Sequence, residues 1–150
     1  MVPFALTLMS RWLHKLKQNI KKLKQNIKSM VSDSPTFYEQ ARQAMDQGDL
    51  EEAVTLFEQS VSASPHFKSL ELLGECLSKI GRRHEAIVAL AAATTLNQGV
   101  RAPALLARVF LEMGEYQEAY DFAELALSHH SSNRLALQVK EAAKPHLATT

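Results

Sequence analysis

The clearest candidates in this chain for covalent or metal chemistry are its one cysteine and two of its six histidines, which are adjacent. The single cysteine, Cys76, allows no intramolecular disulfide and no cysteine cluster for a metal. Lys79 is the one cation within a helical turn of it, which is weak support for an activated thiolate, so we expect a buried and inert thiol. His129 and His130 are consecutive, so a helix points them in different directions, whereas two metal ligands on one helix face are three or four residues apart.

Sequence signatures of catalysis are absent from the chain. It contains no glycine-rich phosphate loop, no Gly-x-Ser-x-Gly turn and no His-Glu-x-x-His pair. The sequence therefore predicts a non-enzymatic protein with no cofactor and no bound metal. A binding role is the main alternative, and the elements that would position the binding residues must be found first.

Charge divides the chain into two segments. Residues 1–29 hold seven basic residues and no acid, which gives +7. Residues 30–150 hold ten basic and sixteen acidic residues, which gives 10 − 16 = −6 and leaves a formal net charge of +1. We expect the two segments to meet different partners, or each other.

The apolar runs of the chain are short. None approaches the roughly 20 apolar residues that cross a bilayer. The first apolar run precedes the first basic residue, which is the reverse of the order in a secretory signal. The sequence predicts a cytoplasmic protein, and peripheral attachment to a membrane is an open alternative.

Three strings spaced 33 residues apart form an internal repeat: GDLEEA, GRRHEA and GEYQEA. Each contains a glycine and, five residues later, an alanine: Gly48 and Ala53, Gly81 and Ala86, Gly114 and Ala119. Apolar residues follow a helical period on both sides of each glycine, so each unit is predicted to be a pair of helices. The glycine suits the residue just past the first helix, where φ is positive, and the alanine suits the point where the two helices approach most closely.

Capping residues predict where the first and last helices of this region begin. Asp33 or Ser34 is the expected N-cap of the first, with Pro35 in its first turn. Asn133 is the expected N-cap of the last helix, which Pro145 is expected to end.

The units resemble the tetratricopeptide repeat, a helix–turn–helix of about 34 residues with the pattern W-x2-L-G-x2-Y…A-x3-F…P. The second unit matches best, at Leu70, Leu73, Gly74, Leu77, Ala86 and Leu90. The first unit matches at Ala53, Phe57 and Pro65, and the third has Ala123 where the aromatic residue is expected. The resemblance covers residues 34–131, about two-thirds of the chain.

The resemblance implies an all-α fold, a right-handed α-solenoid preceded by a basic amphipathic helix. The expected parts are the basic helix at 1–32, repeats at about 34–66, 67–99 and 100–131, a capping helix at 132–145 and a tail at 146–150. A cap is expected because the last repeat of a stack otherwise exposes an apolar face.

The resemblance also implies a concave groove, lined by the first helix of each repeat, that binds a peptide or protein. The inward positions carried over are Tyr38, Arg42, Met45, Glu71, Glu75, Lys79, Arg101, Arg108 and Glu112. Arg42 and Arg108 could pair with a partner's carboxylate, and Glu71 and Glu75 would form an acidic patch one turn apart. Simple solvation of each charge is equally open. The lysine and asparagine set with which some members clamp a C-terminal carboxylate is missing, so no such clamp is expected.

Three functions are thereby open. The first is a protein-interaction adaptor or scaffold, the second a small secretion-type chaperone, and the third a membrane-associated assembly factor anchored by the basic helix. No sequence feature identifies the partner or the oligomeric state.

The basic helix contains one seven-residue unit, KLKQNIK, written twice across residues 15–28. Apolar residues continue the same three-and-four spacing from Leu6 to Met30, which predicts one amphipathic helix. Ile and Leu at its a and d positions suit a parallel coiled coil, but two copies would bring 7 + 7 = 14 positive charges together with no acid. Self-association is therefore disfavoured.

An anionic membrane surface is one predicted contact of this helix. The contacting residues would be Trp12, Lys15, Lys17, Lys21, Lys22, Lys24 and Lys28. An acidic partner or the chain's own solenoid is equally open, and nucleic acid is the least favoured because no recognition module accompanies the lysines. A natural start at Met30 rather than Met1 would remove the helix, and the intact mass of the native protein would decide between the two.

Overall fold

The computed structural model describes residues 4–33 and 35–147, and the side chains of residues 9–27 and 35–147. Each regular element in these residues is helical. The chain divides into two compact units, Met1–Pro35 and Thr36–Thr150. The predicted all-α fold is confirmed.

In its described residues the first unit contains one helix, α1, from Phe4 to Asp33. Its 30 residues make it about 45 Å long at 1.5 Å per residue. Lys, Gln and Leu are good helix formers, and no Gly or Pro interrupts the helix. A single helix cannot bury its own apolar stripe. The large apolar side chains described between Met9 and Ile27 are accordingly 40% to 63% exposed.

The second unit contains seven α-helices within residues 35–147. They are α2 (Phe37–Gln47), α3 (Leu50–Ala63), α4 (Phe67–Lys79), α5 (Arg83–Leu96), α6 (Arg101–Met113), α7 (Tyr116–His129) and α8 (Arg134–Ala143), followed by a 3-10 turn at Lys144–His146. Each helix packs on its neighbours in sequence, and α6 also touches α4 and α8. The short connections make each pair a helical hairpin.

Glycines end the first helix of each hairpin. Gly48, Gly81 and Gly114 have φ of +83°, +84° and +79°, a left-handed conformation in which a Cβ would be strained. The amide of Gly48 donates to Met45 O and the next amide donates to Ala44 O, so the last carbonyls of α2 are satisfied as the chain reverses.

The N-cap of α2 differs from the prediction. The cap is Thr36, whose hydroxyl accepts from the Glu39 amide at 3.3 Å while the Glu39 carboxylate accepts from the Thr36 amide at 2.8 Å. Asp33 is instead the last residue of α1, so placing the cap at Asp33 or Ser34 was wrong. The reciprocal box satisfies two amides at once, and its Thr-x-x-Glu pattern is visible in the sequence.

The C-terminal helix begins as predicted. Asn133 Oδ1 accepts from the Ala136 amide at 2.8 Å, so the predicted N-cap is confirmed. The α-helix ends at Ala143, and Pro145 lies within the 3-10 turn. Ala136, Val139 and Ala143 of α8 are buried in one cluster with residues of α6 and α7, so α8 covers the apolar face of the last hairpin.

Small side chains let the paired helices approach each other. Ala53, Ala86 and Ala119 are each fully buried at the start of the second helix of a hairpin. Around them lie larger core residues, among them Phe57 in the first hairpin and Leu90 in the second. The first helices of the hairpins are thereby held at fixed spacing, and these helices carry the groove residues.

Candidate binding groove

A cavity of about 540 Å³ lies between α2 and α4 and reaches the start of α6. Its lining is Tyr38, Arg42, Met45 and Asp46 from α2, Phe67, Lys68, Glu71 and Leu72 from α4, and Arg101 from α6. Residues four apart on a helix share a face, which places Tyr38 and Arg42 on one side of the cavity and Phe67 and Glu71 on the other.

One part of the cavity is apolar. Tyr38, Met45, Phe67 and Leu72 are half-buried there, so part of each side chain remains accessible. The ring of Tyr38 is held edge-on against the buried Phe57, with 6.1 Å between ring centroids. This contact fixes the orientation of the tyrosine.

A cluster of charges joins α4 to α6. Arg101 Nη2 donates to Glu75 Oε2 at 2.6 Å, and its Nε lies 4.0 Å from Glu71 Oε2. Lys79 Nζ lies 3.0 Å from the other oxygen of Glu75. The predicted acidic patch is therefore neutralised from within the molecule and does not face a partner as free charge.

The two carboxylates of this cluster have opposite pKa shifts. Burial raises the pKa of Glu71, and the charges of Arg101, Lys68 and His66 offset only part of that effect. Burial also acts on Glu75, but the hydrogen bonds and charges of Lys79 and Arg101 outweigh it and lower the pKa of Glu75. The ionised form of Glu75 is thus stabilised by its neighbours in the cluster, whereas the ionised form of Glu71 is disfavoured by burial.

Two cations of the cavity lack an ion-pair partner. The guanidinium of Arg42 makes no hydrogen bond or ion pair to any described residue. The ammonium of Lys68 likewise has no partner within 4 Å in that part of the chain, although its charge offsets part of the rise that burial causes in the pKa of Glu71. Both side chains are exposed, so a carboxylate entering the cavity can be bound without breaking an existing pair.

Arg108 and Glu112 lie further along α6 in a separate ion pair. Arg108 Nε is 3.8 Å from Glu112 Oε1, and Arg83 Nε of α5 is 3.5 Å from the other carboxylate oxygen. Arg108 Nε is buried and has no hydrogen-bond acceptor among the described residues. Arg108 is therefore engaged inside the repeat stack and is less free than Arg42 to bind a partner.

The predicted groove residues fall into three groups. Tyr38, Arg42, Met45, Glu71 and Arg101 line the cavity. Glu75 is joined to it through Arg101 and Lys79 through Glu75, whereas Arg108 and Glu112 lie apart from it. Their binding roles stay predictions.

Four cavity residues were missed from the sequence. Asp46 and Leu72 are each beside a predicted inward position, at 45 and 71, and Phe67 and Lys68 open α4. The family pattern gives little weight to helix starts. The signal that could have found Asp46 is its spacing of four residues from Arg42.

The remaining candidates for chemistry are placed as follows. Cys76 is fully buried, and burial raises the pKa of its thiol to about 11. No group of three His, Cys, Asp or Glu within the described residues could hold a metal ion.

In α1, Trp12, Lys15, Lys17, Lys21, Lys22 and Lys24 are exposed, whereas Lys28 lies outside the described side chains. No helix within residues 4–33 and 35–147 is both long and apolar enough to cross a membrane.

Comparisons with family profiles give two matches, both described as tetratricopeptide repeat. One covers residues 44–109 and the other covers residues 104–135. No curated protein matches the chain in sequence.

Solved structures share the fold. The first tetratricopeptide repeat domain of Spaghetti (RPAP3), bound to the HSP90 peptide SRMEEVD, has a TM-score of 0.72 at 17% identity and covers 75% of this chain and 91% of its own. The TPR2B domain of yeast Sti1 in complex with pHsp70 has a TM-score of 0.69 at 21% identity and covers 75% and 100%. The Yersinia enterocolitica type III secretion chaperone SycD, in complex with a peptide of the translocator YopD, has a TM-score of 0.69 at 21% identity and covers 73% and 91%. At these identities the likeness is one of fold.

Proposed function

The chain belongs to the tetratricopeptide repeat family, and from that premise we propose that it is a non-catalytic, cytoplasmic interaction module. It binds a peptide segment of a partner protein in the cavity between α2, α4 and α6. The observation that carries the proposal is the pairing of an accessible apolar wall with two unpaired cations in one cavity.

The cavity favours a particular kind of peptide. Arg42 and Lys68 supply hydrogen-bond donors and positive charge to a carboxylate. Tyr38 and Phe67 supply aromatic surface for an apolar side chain, which contributes about 25 cal/mol per Å² of apolar area removed from water. The best ligand is therefore a segment in which an Asp or Glu stands close to a large apolar residue.

A clamp on a partner's C-terminal carboxylate is not part of this proposal. The solved domain of Spaghetti is bound to an HSP90 peptide, and that of Sti1 is in complex with pHsp70. The lysine and asparagine set with which some family members clamp a C-terminal carboxylate is missing from this sequence. Glu75 is moreover occupied by Arg101 and Lys79, so this part of the groove has no free cation for a terminal carboxylate. An internal acidic segment fits better than a chain end.

Selection from a library of short displayed peptides tests the proposal. The protein should enrich peptides in which an acidic residue lies beside an aromatic or branched apolar residue. The double variant Arg42→Glu, Lys68→Glu should lose these peptides, because two attractions to the carboxylate become repulsions. The same pair of charges is reversed in Arg134→Glu, Lys144→Glu, whose residues are exposed in or next to α8, and this control should select the same peptides as the original chain.

Two results would contradict the proposal. One is enrichment of the same acidic peptides by the Arg42→Glu, Lys68→Glu variant, which would place the binding surface elsewhere. The other is the absence of any enriched class, with circular dichroism showing a folded protein. The melting temperature of each variant must stay within a few degrees of the original for the comparison to hold.

A second candidate is a small chaperone of the secretion type. It is favoured by the likeness to SycD over 91% of that chain, which means that the two folds are similar in size as well as topology. A chaperone would keep a disordered client soluble in equimolar complex, whereas an adaptor would bind its ligand without changing the ligand's solubility. Light scattering of client peptide with and without the protein separates the two.

A further inference from the structure

The feature that the groove does not explain is α1, which combines a continuous apolar stripe with seven basic residues and one acid, Asp33 at its end. At 3.6 residues per turn, the described apolar residues from Met9 to Ile27 occupy a sector of about 100°. Lys17 and Lys24 border this sector on one side. On the other side Asn19 and Asn26 border it, followed by Lys15 and Lys22.

Charge and polarity together restrict what can cover this helix. A second copy of α1 would match the apolar stripe but would bring seven positive charges against seven, with only Asp33 at the end of each helix to offset them. Nucleic acid would match the lysines but would leave the stripe in water. The interface of an anionic bilayer offers acyl chains to the stripe and negative head groups to the lysines that border it.

We propose that α1 binds an anionic lipid surface, lying in the plane of the membrane with its apolar stripe at the boundary between head groups and acyl chains. The lysines beside the stripe extend to the head groups while their methylene stems cover apolar surface. Binding at the surface agrees with the composition of the helix, which carries too many lysines to cross the bilayer.

Trp12 strengthens the proposal. It is 63% exposed at the edge of the apolar sector, and tryptophan is enriched at membrane interfaces because its ring is apolar while its N–H can meet polar head groups. It is also the single tryptophan of the chain. Its fluorescence therefore reports on α1 alone in the intact protein.

The doubled heptad contributes to affinity in two equal steps. Each KLKQNIK unit brings three lysines and two apolar residues to the same faces. A basic residue near an anionic surface increases binding about fivefold, the equivalent of about 1 kcal/mol. One unit therefore contributes roughly 100-fold through charge alone, before its apolar burial is added.

The test is a titration of the full chain with vesicles of phosphatidylcholine, with and without phosphatidylglycerol, followed by Trp12 emission. We expect a shift to shorter wavelength with the anionic vesicles and quenching by brominated lipid. The shift should disappear with pure phosphatidylcholine. It should also weaken as salt rises from about 0.1 M to about 1 M, where the Debye length falls from about 10 Å to about 3 Å. Unchanged emission together with no co-sedimentation on anionic vesicles would overturn the proposal.

Variants separate the contributions of charge and apolar surface. Lys17→Gln, Lys21→Gln, Lys24→Gln should weaken binding roughly 100-fold. Deletion of residues 22–28 removes one unit, keeps the stripe in register and should weaken binding more. The control Arg82→Gln, Arg134→Gln, Lys144→Gln lies outside both α1 and the groove, lowers the net charge equally, from +1 to 1 − 3 = −2, and should bind vesicles as the original does. An equal loss in this control would show that net charge, and not α1, drives binding.

The other possible partners of α1, nucleic acid and a second copy of the chain, would each give a different result with a further variant. The double variant Leu16→Gln, Leu23→Gln should abolish vesicle binding. If this variant binds both vesicles and duplex DNA as the original chain does, the lysines act as a phosphate-binding face and the proposal fails. A dimer in sedimentation equilibrium that this variant dissociates, without vesicle binding by the original, would assign the stripe to a second copy. The groove variant Arg42→Glu, Lys68→Glu should still bind vesicles. The membrane proposal can therefore fail while the peptide-binding proposal stands, and the reverse.

Discussion

Glu71 and Glu75 are chemically identical and one helical turn apart, yet their surroundings in the folded protein differ. Glu75 has two cations in contact, at 2.6 and 3.0 Å, whereas Glu71 has one guanidinium nitrogen at 4.0 Å and little solvent. The pKa of Glu75 is therefore lowered and the pKa of Glu71 is raised. At neutral pH the negative charge of Glu75 therefore stabilises the folded state, and the negative charge of Glu71 destabilises it.

Neutralising the two carboxylates should have opposite effects on stability at pH 7. Glu75→Gln should destabilise the second unit by about 1 kcal/mol, a modest value because its partners Arg101 and Lys79 are themselves half exposed. Glu71→Gln should leave stability unchanged or raise it, since it removes a charge that burial disfavours. Thermal melts of both variants, followed by circular dichroism, measure the difference.

The pH dependence gives each effect a sign. A lowered pKa contributes stability that is present above the ordinary value of 4.5 and is lost as the pH falls through the folded value, so the deficit of Glu75→Gln should shrink on acidification. A raised pKa contributes stability that is present below 4.5 and is lost as the pH rises, so any gain of Glu71→Gln should also vanish in acid. Equal melting temperatures for the two variants at pH 7 would argue against the charge cluster.

Residue-level sequence analysis could identify inward positions but not their partners. Tyr38, Arg42 and Met45 were carried over from the family resemblance as inward positions, and all three line one cavity. The bond between Arg101 and Glu75 spans 26 residues of sequence and two hairpins. It depends on the spacing of α4 and α6, which local sequence does not encode.

At the scale of the element, the second helix of each hairpin is positioned by its buried alanine. Ala86 is fully buried, and its carbonyl oxygen lies 3.2 Å from where a Cβ on Gly74 would stand. The same Cβ would stand 2.5 Å from Leu90 Cγ. The two helices of this hairpin therefore touch backbone to side chain with no room for a further carbon.

A large charged residue at the buried alanine should disrupt this contact. Ala86→Arg forces a long cation between packed helices, and we expect a loss of about 3 kcal/mol or more, since both overpacking and the burial of an unpaired charge oppose it. Val88→Arg introduces the same side chain two residues away, where the native residue is 70% exposed. It should change stability by about 0.5 kcal/mol or less. Urea unfolding of both proteins gives the comparison, and similar losses would contradict the assigned packing.

The elements themselves were predictable because the repeat gives each signal three times. Positive φ at Gly48, Gly81 and Gly114 follows from the sequence pattern. The cap of α2 lies outside that repeated pattern, and the acidic and hydroxyl residues at 33 and 34 competed with Thr36. The box to Glu39 satisfied more backbone amides than either alternative could, and this decided the boundary.

On the scale of the whole molecule, the two units differ in what holds them together. The described side chains that are buried lie between residues 41 and 143, in clusters that join successive helices of the second unit. In a repeat stack, stability is the sum of each repeat and its interfaces with its neighbours. The second unit thus has a core of its own, whereas the described residues of the first unit contain no other element that could cover the apolar stripe of α1.

A chain comprising residues 30–150 should therefore fold as the full chain does and lose only one of the two proposed activities. Its melting temperature should stay within a few degrees of the original, because the core clusters are intact. Its net charge should change from +1 to 1 − 7 = −6, which anion exchange will detect. Peptide selection by the groove should be unchanged, whereas binding to anionic vesicles should be lost. A large fall in melting temperature would mean instead that the basic segment stabilises the acidic solenoid, and the membrane would then have to compete with the chain's own surface for α1.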